Sequence, residues 1–282
     1  MTSPAPESRA GADPPRGLLH RDAAGERFDL TLTPPSPGLA EYVEVYWDVQ
    51  WDRSGHPPHD QEILPHPSIQ LVIEAGHSGV FGIGTGKSVK MLEGKGRAFG
   101  IKFRPGMFAS LHQPVASLTD RQVPLEELFG ERGAEYERSV LEITSGSDRI
   151  ALAEAFLHSL APPIDPDMLL ARRLVERATH DRDCQRVEDL AAESGLSVRS
   201  LQRLFARVVG VSPKWVIQRY RLHEAVQCLE QGDPVDLLQL AQRLGYFDQS
   251  HFNRDFKKII GATPARYAAQ AARPTLRKDS PE

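Results

Sequence analysis

The chain has 282 residues, with 34 Lys and Arg against 38 Asp and Glu and a net charge of −4. This length favours two domains, and no apolar run reaches the roughly 18 residues of a membrane-spanning helix, so we expect no membrane association. The two cysteines, Cys184 and Cys228, have no CxxC spacing. They predict reduced thiols in a cytoplasmic protein, with a redox pair as the alternative.

The two ends of the chain have the composition of disordered tails. Residues 1–26 are rich in Pro, Ala, Gly and charge and lack the apolar core of a signal peptide. Residues 273–282 are similarly polar. Neither segment is expected to contribute to a folded core.

Residues 28–108 contain short segments that are rich in β-branched residues and partly alternate between apolar and polar side chains. Pro and Gly separate these segments, which is typical of short strands. Strands are predicted over Tyr42–Trp51, Ile69–Ile73, Val80–Ile83 and Arg97–Phe103. Several short strands at this spacing indicate an antiparallel barrel or jelly roll. The fold class is therefore α+β, with a mostly β N-terminal domain over residues 27–160.

Helical segments follow the predicted strands, at 124–129, 134–143 and 148–160. The last of these carries an apolar stripe between Ile150 and Leu160. A stripe of this kind either packs onto its own domain or forms a dimer contact. The sequence leaves both alternatives open.

Three groups of residues in the N-terminal part have possible chemistry. The histidines His56, His59 and His66 are candidate metal ligands, although a solvated loop is favoured because no His-x-His pair supports a site. The segment 82–88 ends in Gly-Lys-Ser, but Phe81 stands where a phosphate-binding loop needs its first glycine, so a turn between strands is favoured. A set of aromatic residues lines either a ligand pocket or, as favoured, the core: Trp47, Trp51, Phe81, Phe99 and Phe103.

The C-terminal part contains an internal repeat. One string holds Leu190-Ala191, Gly195-Leu196, Ser197, Leu201, Phe205, Gly210 and Pro213, and the other holds Leu240-Ala241, Gly245-Tyr246, Asp248, Phe252, Phe256, Gly261 and Pro264. The offset is 50 residues up to the turn and 51 after it, because the second turn has one extra residue. So regular an offset indicates that one supersecondary unit occurs twice.

Each copy predicts a helix-turn-helix unit. A short helix ends at Gly195 or Gly245, and Ser197 or Asp248 then caps a second helix. These second helices are predicted at about 198–209 and 249–259, and the second helix of such a unit enters the major groove of DNA. A longer helix that begins at Pro213 and ends near Gly232-Asp233-Pro234 joins the two units.

The exposed faces of the two recognition helices predict DNA contacts. Arg, Gln and Asn bond to base edges, and Lys and Arg also suit phosphates. Residues 197–267 hold 11 Lys and Arg against 6 Asp and Glu, although the whole chain is acidic. The alternative is an ordinary solvated helix face. The candidate DNA-binding residues are Arg199, Gln202, Arg203, Arg207, Gln249, Ser250, Asn253, Arg254 and Lys257.

Residues 165–272 resemble the DNA-binding domain of AraC-type (AraC/XylS) transcription regulators, most specifically in the run from Gly245 to Phe252 and in Gly261-Ala262-Thr263-Pro264. The resemblance implies seven helices with two helix-turn-helix units on a long joining helix. It also implies base-reading roles for Arg199, Gln202 and Arg203 in the first unit and for Gln249, Ser250 and Arg254 in the second. The segment from Phe99 to Gly106 is similar to a sensor-domain class of unknown ligand.

The sequence therefore predicts a DNA-binding transcription regulator whose N-terminal domain responds to a small molecule or mediates dimerisation. The expected partners are double-stranded DNA and RNA polymerase, with an effector and a second copy of the chain as further candidates. We expect no catalytic residues, no cofactor and no metal. An enzyme fused to a DNA-binding module and a regulator without a ligand are the alternatives.

Overall fold

The computed structural model describes residues 17–19, 28–160, 163–181, 183–231 and 235–271. Most of the predicted tails, 1–26 and 273–282, and the predicted helix end at 232–234 lie outside the described residues. Within the described part, β-structure precedes an all-helical region, as the α+β fold class requires.

The described residues of the N-terminal part form eight strands, in two antiparallel sheets with the orders β1-β2-β7-β4-β5-β8 and β3-β6. Among the described residues, the edge strands β1 and β8 each pair with one neighbour, so the larger sheet is an open layer and not a closed barrel. The strands are β1 (Asp29–Thr33), β2 (Val43–Asp52), β3 (His59–Ile63), β4 (Gln70–Glu74), β5 (Gly79–Phe81), β6 (Ser88–Leu92), β7 (Lys95–Phe103) and β8 (Gln122–Val123).

One face of the larger sheet packs against three helices, α1 (Leu125–Phe129), α2 (Glu131–Glu142) and α3 (Gly146–Leu160). The register places Tyr46 and Leu71 opposite Ile101 on this face, and all three side chains are buried. Phe156 of α3 stacks on Tyr136 of α2 with ring centroids 4.3 Å apart. The apolar stripe of α3 therefore packs onto its own domain.

The predicted aromatic set divides between the two faces of the sheet, because successive residues of a strand point to opposite sides. Phe99 and Phe103 lie in the main core, at 2% and 1% exposure. Trp47, Trp51 and Phe81 lie on the other face, in a smaller cluster with Val72, Leu92 and Ala98. The core interpretation holds for Phe99, Phe103 and the buried Trp51, while Trp47 and Phe81 are partly buried against the smaller cluster.

Seven helices follow among the described residues of the C-terminal part. Asp165 caps the first of them by accepting from the Asp167 amide at 2.7 Å. The predicted recognition helices are Val198–Val208 and Gln249–Ile260, within one residue of expectation. The helices are α4 (Pro166–His180), α5 (Val187–Ser194), α6 (Val198–Val208), α7 (Pro213–Glu230), α8 (Leu237–Arg243), α9 (Gln249–Ile260) and α10 (Pro264–Ala271).

Each of the two larger hydrophobic cores contains residues from both the N-terminal and the C-terminal part of the chain. The first core runs from sheet residues such as Phe99 to Leu201 and Phe205 of the first helix-turn-helix unit. The second core holds Phe252 and Phe256 of the second unit together with Leu19 and Leu64 from the N-terminal part. The joining helix α7 contributes to both cores, so both units are packed against the N-terminal domain.

Candidate nucleic-acid interface

Both recognition helices begin with a capped first turn. The Ser197 side chain accepts from the Ser200 amide at 3.2 Å, and the Asp248 carboxylate accepts from the His251 amide at 2.7 Å. Gly195 and Gly245 precede these caps with φ of 66° and 74°, a left-handed conformation that glycine adopts without steric cost. Local sequence alone therefore sets where each recognition helix starts.

The helix α6 buries one side and exposes the other, as the apolar spacing predicts. Leu201, Leu204, Phe205 and Val208 are buried. Arg199, Gln202 and Arg203 are exposed. These three base-reading candidates lie within the first two turns of the helix, the part of a recognition helix that contacts base edges.

The helix α9 repeats this arrangement with different side chains. Phe252, Phe256 and Ile260 are buried, and the exposed candidates are Ser250, Arg254 and Lys257. Gln249 and Asn253 are half-buried. The Oδ1 atom of Asn253 is shielded from solvent.

Arg207 stands apart from the other candidates, because its guanidinium has partners within the chain. It forms an ion pair with Asp167 of α4 and donates to Gln113 Oε1 at 3.3 Å. Arg207 lies in the last turn of α6, where a cation also interacts favourably with the helix dipole. In this arrangement its guanidinium joins α6 to its neighbours, and a DNA contact would require that these bonds rearrange.

The N-terminal domain contacts the C-terminal ends of both recognition helices. Thr119 donates its hydroxyl proton to the carbonyl oxygen of Gly210, just beyond α6, at 2.6 Å. Lys87 donates to the carbonyl oxygen of Ile260, the last residue of α9, at 3.0 Å and pairs with Glu62 at 2.5 Å. The glycine-rich segment that contains Lys87 connects β5 and β6, as the sequence predicted. The sequence did not predict that Lys87 contacts the end of α9.

A third contact between the N-terminal and C-terminal parts lies at the middle of α7. The Arg219 guanidinium donates to the Thr85 carbonyl at 2.5 Å and lies 4.4 Å from the centre of the Trp215 ring. Burial lowers the pKa of Arg219 to about 10, which leaves it charged at neutral pH. Nearby, the His66 ring stacks on His223 at 4.2 Å.

The candidate metal histidines are dispersed. His56 is exposed, His59 lies in β3, and His66 stacks on α7. Within the described ranges, no group of three or more His, Cys, Asp or Glu residues is placed to hold a metal ion. In the same part of the chain, no helix has both the length and the apolar character needed to cross a bilayer.

Comparison with known proteins places the helical region in a family. Residues 190–270 match a family model described as a helix-turn-helix domain, and residues 31–124 match one described as a domain of unknown function. PqrA of Proteus vulgaris, a probable transcription factor, is 32% identical over 89 residues, which are 32% of this chain and 72% of PqrA. The chain belongs to the AraC-type family of transcription regulators.

Two further matches are one curated relative and one solved structure. The transcriptional activator NphR of a Rhodococcus species is 30% identical over 125 residues, 44% of this chain and 36% of NphR. A crystal structure of an AraC-type regulator from Chromobacterium violaceum is 26% identical, covers 36% of this chain and 96% of its own, and superposes with a TM-score of 0.32. The match spans about a third of the length of NphR.

Proposed function

We propose that this AraC-type protein is a sequence-specific, DNA-binding transcription regulator that places α6 and α9 in successive major-groove segments. The observation that carries the proposal is the pair of capped helices with exposed Arg203 and Arg254. Both helices pack against the same joining helix, α7. Two recognition helices held at a fixed separation can enter two successive major-groove segments on one side of a duplex, which lie about 34 Å apart.

Local charge supports this surface. Residues 197–267 carry a net charge of +5, whereas residues 1–196 carry −10. Positive charge concentrated near the recognition helices attracts phosphates, and each phosphate contact releases counterions. Binding should therefore weaken as salt concentration rises, with a slope that reports the number of phosphates contacted.

The N-terminal domain is proposed to modulate DNA binding through its contacts with the ends of α6 and α9. Thr119 and Lys87 each hold the carbonyl at or just after the end of a recognition helix. A small molecule or a second copy of the chain that prefers one position of these side chains would shift the population of chains able to place both helices on DNA. RNA polymerase is the further expected partner.

The protein is further proposed to act in the cytoplasm by binding alone, with no catalytic step and no cofactor or metal. The relatives PqrA and NphR are a probable transcription factor and a transcriptional activator, which supports a role in regulation. The DNA-binding domain is proposed to span residues 165–272, and the sensor or dimerisation domain residues 27–160.

The experiment begins with selection of a duplex from a random pool by the full chain. Arg203→Ala and Arg254→Ala should each weaken binding to that duplex by about 1–3 kcal/mol, or about 5- to 150-fold. Arg132→Ala, an exposed arginine of α2, is the matched control and should leave affinity unchanged. An equal loss on every duplex would assign both arginines to phosphates and overturn their base-reading role.

A further inference from the structure

The turn before α9 exposes a large apolar side chain. Phe247 is 94% exposed, whereas the next most exposed large apolar residue among those described, Met91, is 55% exposed. Phe247 directly precedes the cap residue Asp248. At this exposure the Phe247 side chain buries little apolar area within the fold, so it adds little to stability and is free to contact a partner.

Phe247 is also the extra residue that changes the repeat offset from 50 to 51. The first unit passes from Gly195 through Leu196 to its cap Ser197, and the second passes from Gly245 through Tyr246 and Phe247 to Asp248. The first unit also places a capped helix after its glycine, with one residue fewer and with φ of −65° at Ser197 where Asp248 has −150°. The Phe247 side chain, almost wholly exposed, contributes little packing to the longer turn.

The neighbouring Tyr246 supplies the packing at this turn. Its ring is 6% exposed and lies 5.3 Å from the rings of both His251 and Phe252. Two consecutive aromatic residues thus point in different directions, one into the second core and one into solvent. The outward residue lies just before the recognition helix, three positions ahead of the exposed Ser250.

The surroundings of Phe247 favour DNA as its partner over another protein. The exposed residues of α9 are polar or basic, namely Ser250, His251, Arg254, Lys257 and Lys258, and the three cations Arg254, Lys257 and Lys258 complement a phosphate backbone. The first residues of a recognition helix lie closest to base edges. A phenyl ring has no hydrogen-bonding group, and the apolar feature that the major groove offers it is the C5-methyl group of thymine.

We propose that Phe247 is a specificity-determining residue that contacts a thymine methyl group next to the bases read by α9. This inference rests on the proposed DNA binding and adds a preference that the first unit, which lacks the residue, does not have. The selected duplex should therefore contain a thymine at the position nearest the start of α9. Replacing that thymine by deoxyuridine removes only the methyl group.

The test measures the affinity of the full chain and of Phe247→Ala for the selected duplex, with each thymine replaced in turn by deoxyuridine. At one or two positions the wild type should lose about fourfold in affinity, as expected for one buried methyl group. In Phe247→Ala the same deoxyuridine replacements should leave the affinity unchanged. In Phe247→Leu they should lower the affinity, but by less than in the wild type. Met91→Ala, which also removes an exposed apolar side chain, is the matched control and should match the wild type throughout.

Each other outcome has a distinct meaning. Identical deoxyuridine profiles for the wild type and Phe247→Ala would overturn the methyl contact while leaving DNA binding intact. Unchanged DNA affinity together with lost self-association or lost transcription would assign Phe247 to a protein partner and also overturn it. Failure of the wild type to select any duplex would overturn the proposed function itself.

Discussion

Lys87 offers a direct test of the coupling between the N-terminal domain and the second helix-turn-helix unit. Its ammonium group donates to the Ile260 carbonyl at 3.0 Å and pairs with Glu62 at 2.5 Å. Lys87→Met keeps the length of the side chain and removes the charge. The end of α9 then loses a cation at its negative dipole end and a charge-assisted hydrogen bond.

The stabilising free energy that α9 loses in Lys87→Met depends on how far Lys87 and its partner Glu62 are exposed to solvent. A hydrogen bond to a charged group contributes about 1.5–3 kcal/mol when it is well shielded. The side chains of Lys87 and Glu62 are 20% and 29% exposed, so solvent screens part of this energy and about 1–2 kcal/mol remains. A loss of that size corresponds to about a 5- to 30-fold change in an equilibrium constant.

Native-state hydrogen exchange of α9, followed by mass spectrometry, measures this change. Amides of Gln249–Ile260 should exchange about 5- to 30-fold faster in Lys87→Met if the helix opens as a unit. Lys90→Met is the matched control, because Lys90 also forms an ion pair at 2.5 Å, with Glu74, but within the N-terminal domain. Equal exchange in both variants, or no change in either, would refute the coupling.

Three further predictions concern the caps, a tyrosine and the cysteines. Ser197→Ala and Asp248→Ala should each lower the free energy of unfolding by about 1 kcal/mol, and unchanged calorimetric Tm values would contradict the capping roles. Burial raises the pKa of Tyr246 to about 12, above its ordinary value of 10.0, so its contribution to stability is complete below pH 10 and falls as pH rises towards 12. Denaturant titrations should therefore show a shallower alkaline decline in Tyr246→Phe, and an unchanged slope would refute this assignment. Burial raises the pKa of the Cys184 thiol to about 11, so iodoacetamide at pH 8 should label Cys184 more slowly than the half-buried Cys228, and equal peptide labelling rates would contradict that difference.

The features that the sequence predicted well are those set by local chemistry. The caps Ser197 and Asp248, the left-handed glycines before them and the apolar faces of α6 and α9 all depend on residues within a few positions of each other. These signals located both recognition helices to within one residue. The exposed candidates on each helix follow from the same helical period.

The features that the sequence did not predict depend on tertiary partners. The strand β3 reads His-Asp-Gln-Glu-Ile, a polar run without strand periodicity, and it forms because β6 pairs with it. Arg207 is of a residue type that commonly contacts phosphate, yet its guanidinium forms an ion pair with Asp167, which lies 40 residues earlier in the chain. The contact of Lys87 with Ile260 joins residues 173 positions apart, which no local pattern reveals.

Hydroxyl-radical footprinting of the selected duplex with the full chain tests the central claim most directly. Because the framework of the two units repeats while Arg199, Gln202 and Arg203 differ from Gln249, Ser250 and Arg254, one chain should protect two patches of different sequence. The patches should lie about one helical turn apart on the same face of the DNA. A single protected patch, or a palindromic site protected by one chain, would contradict the account.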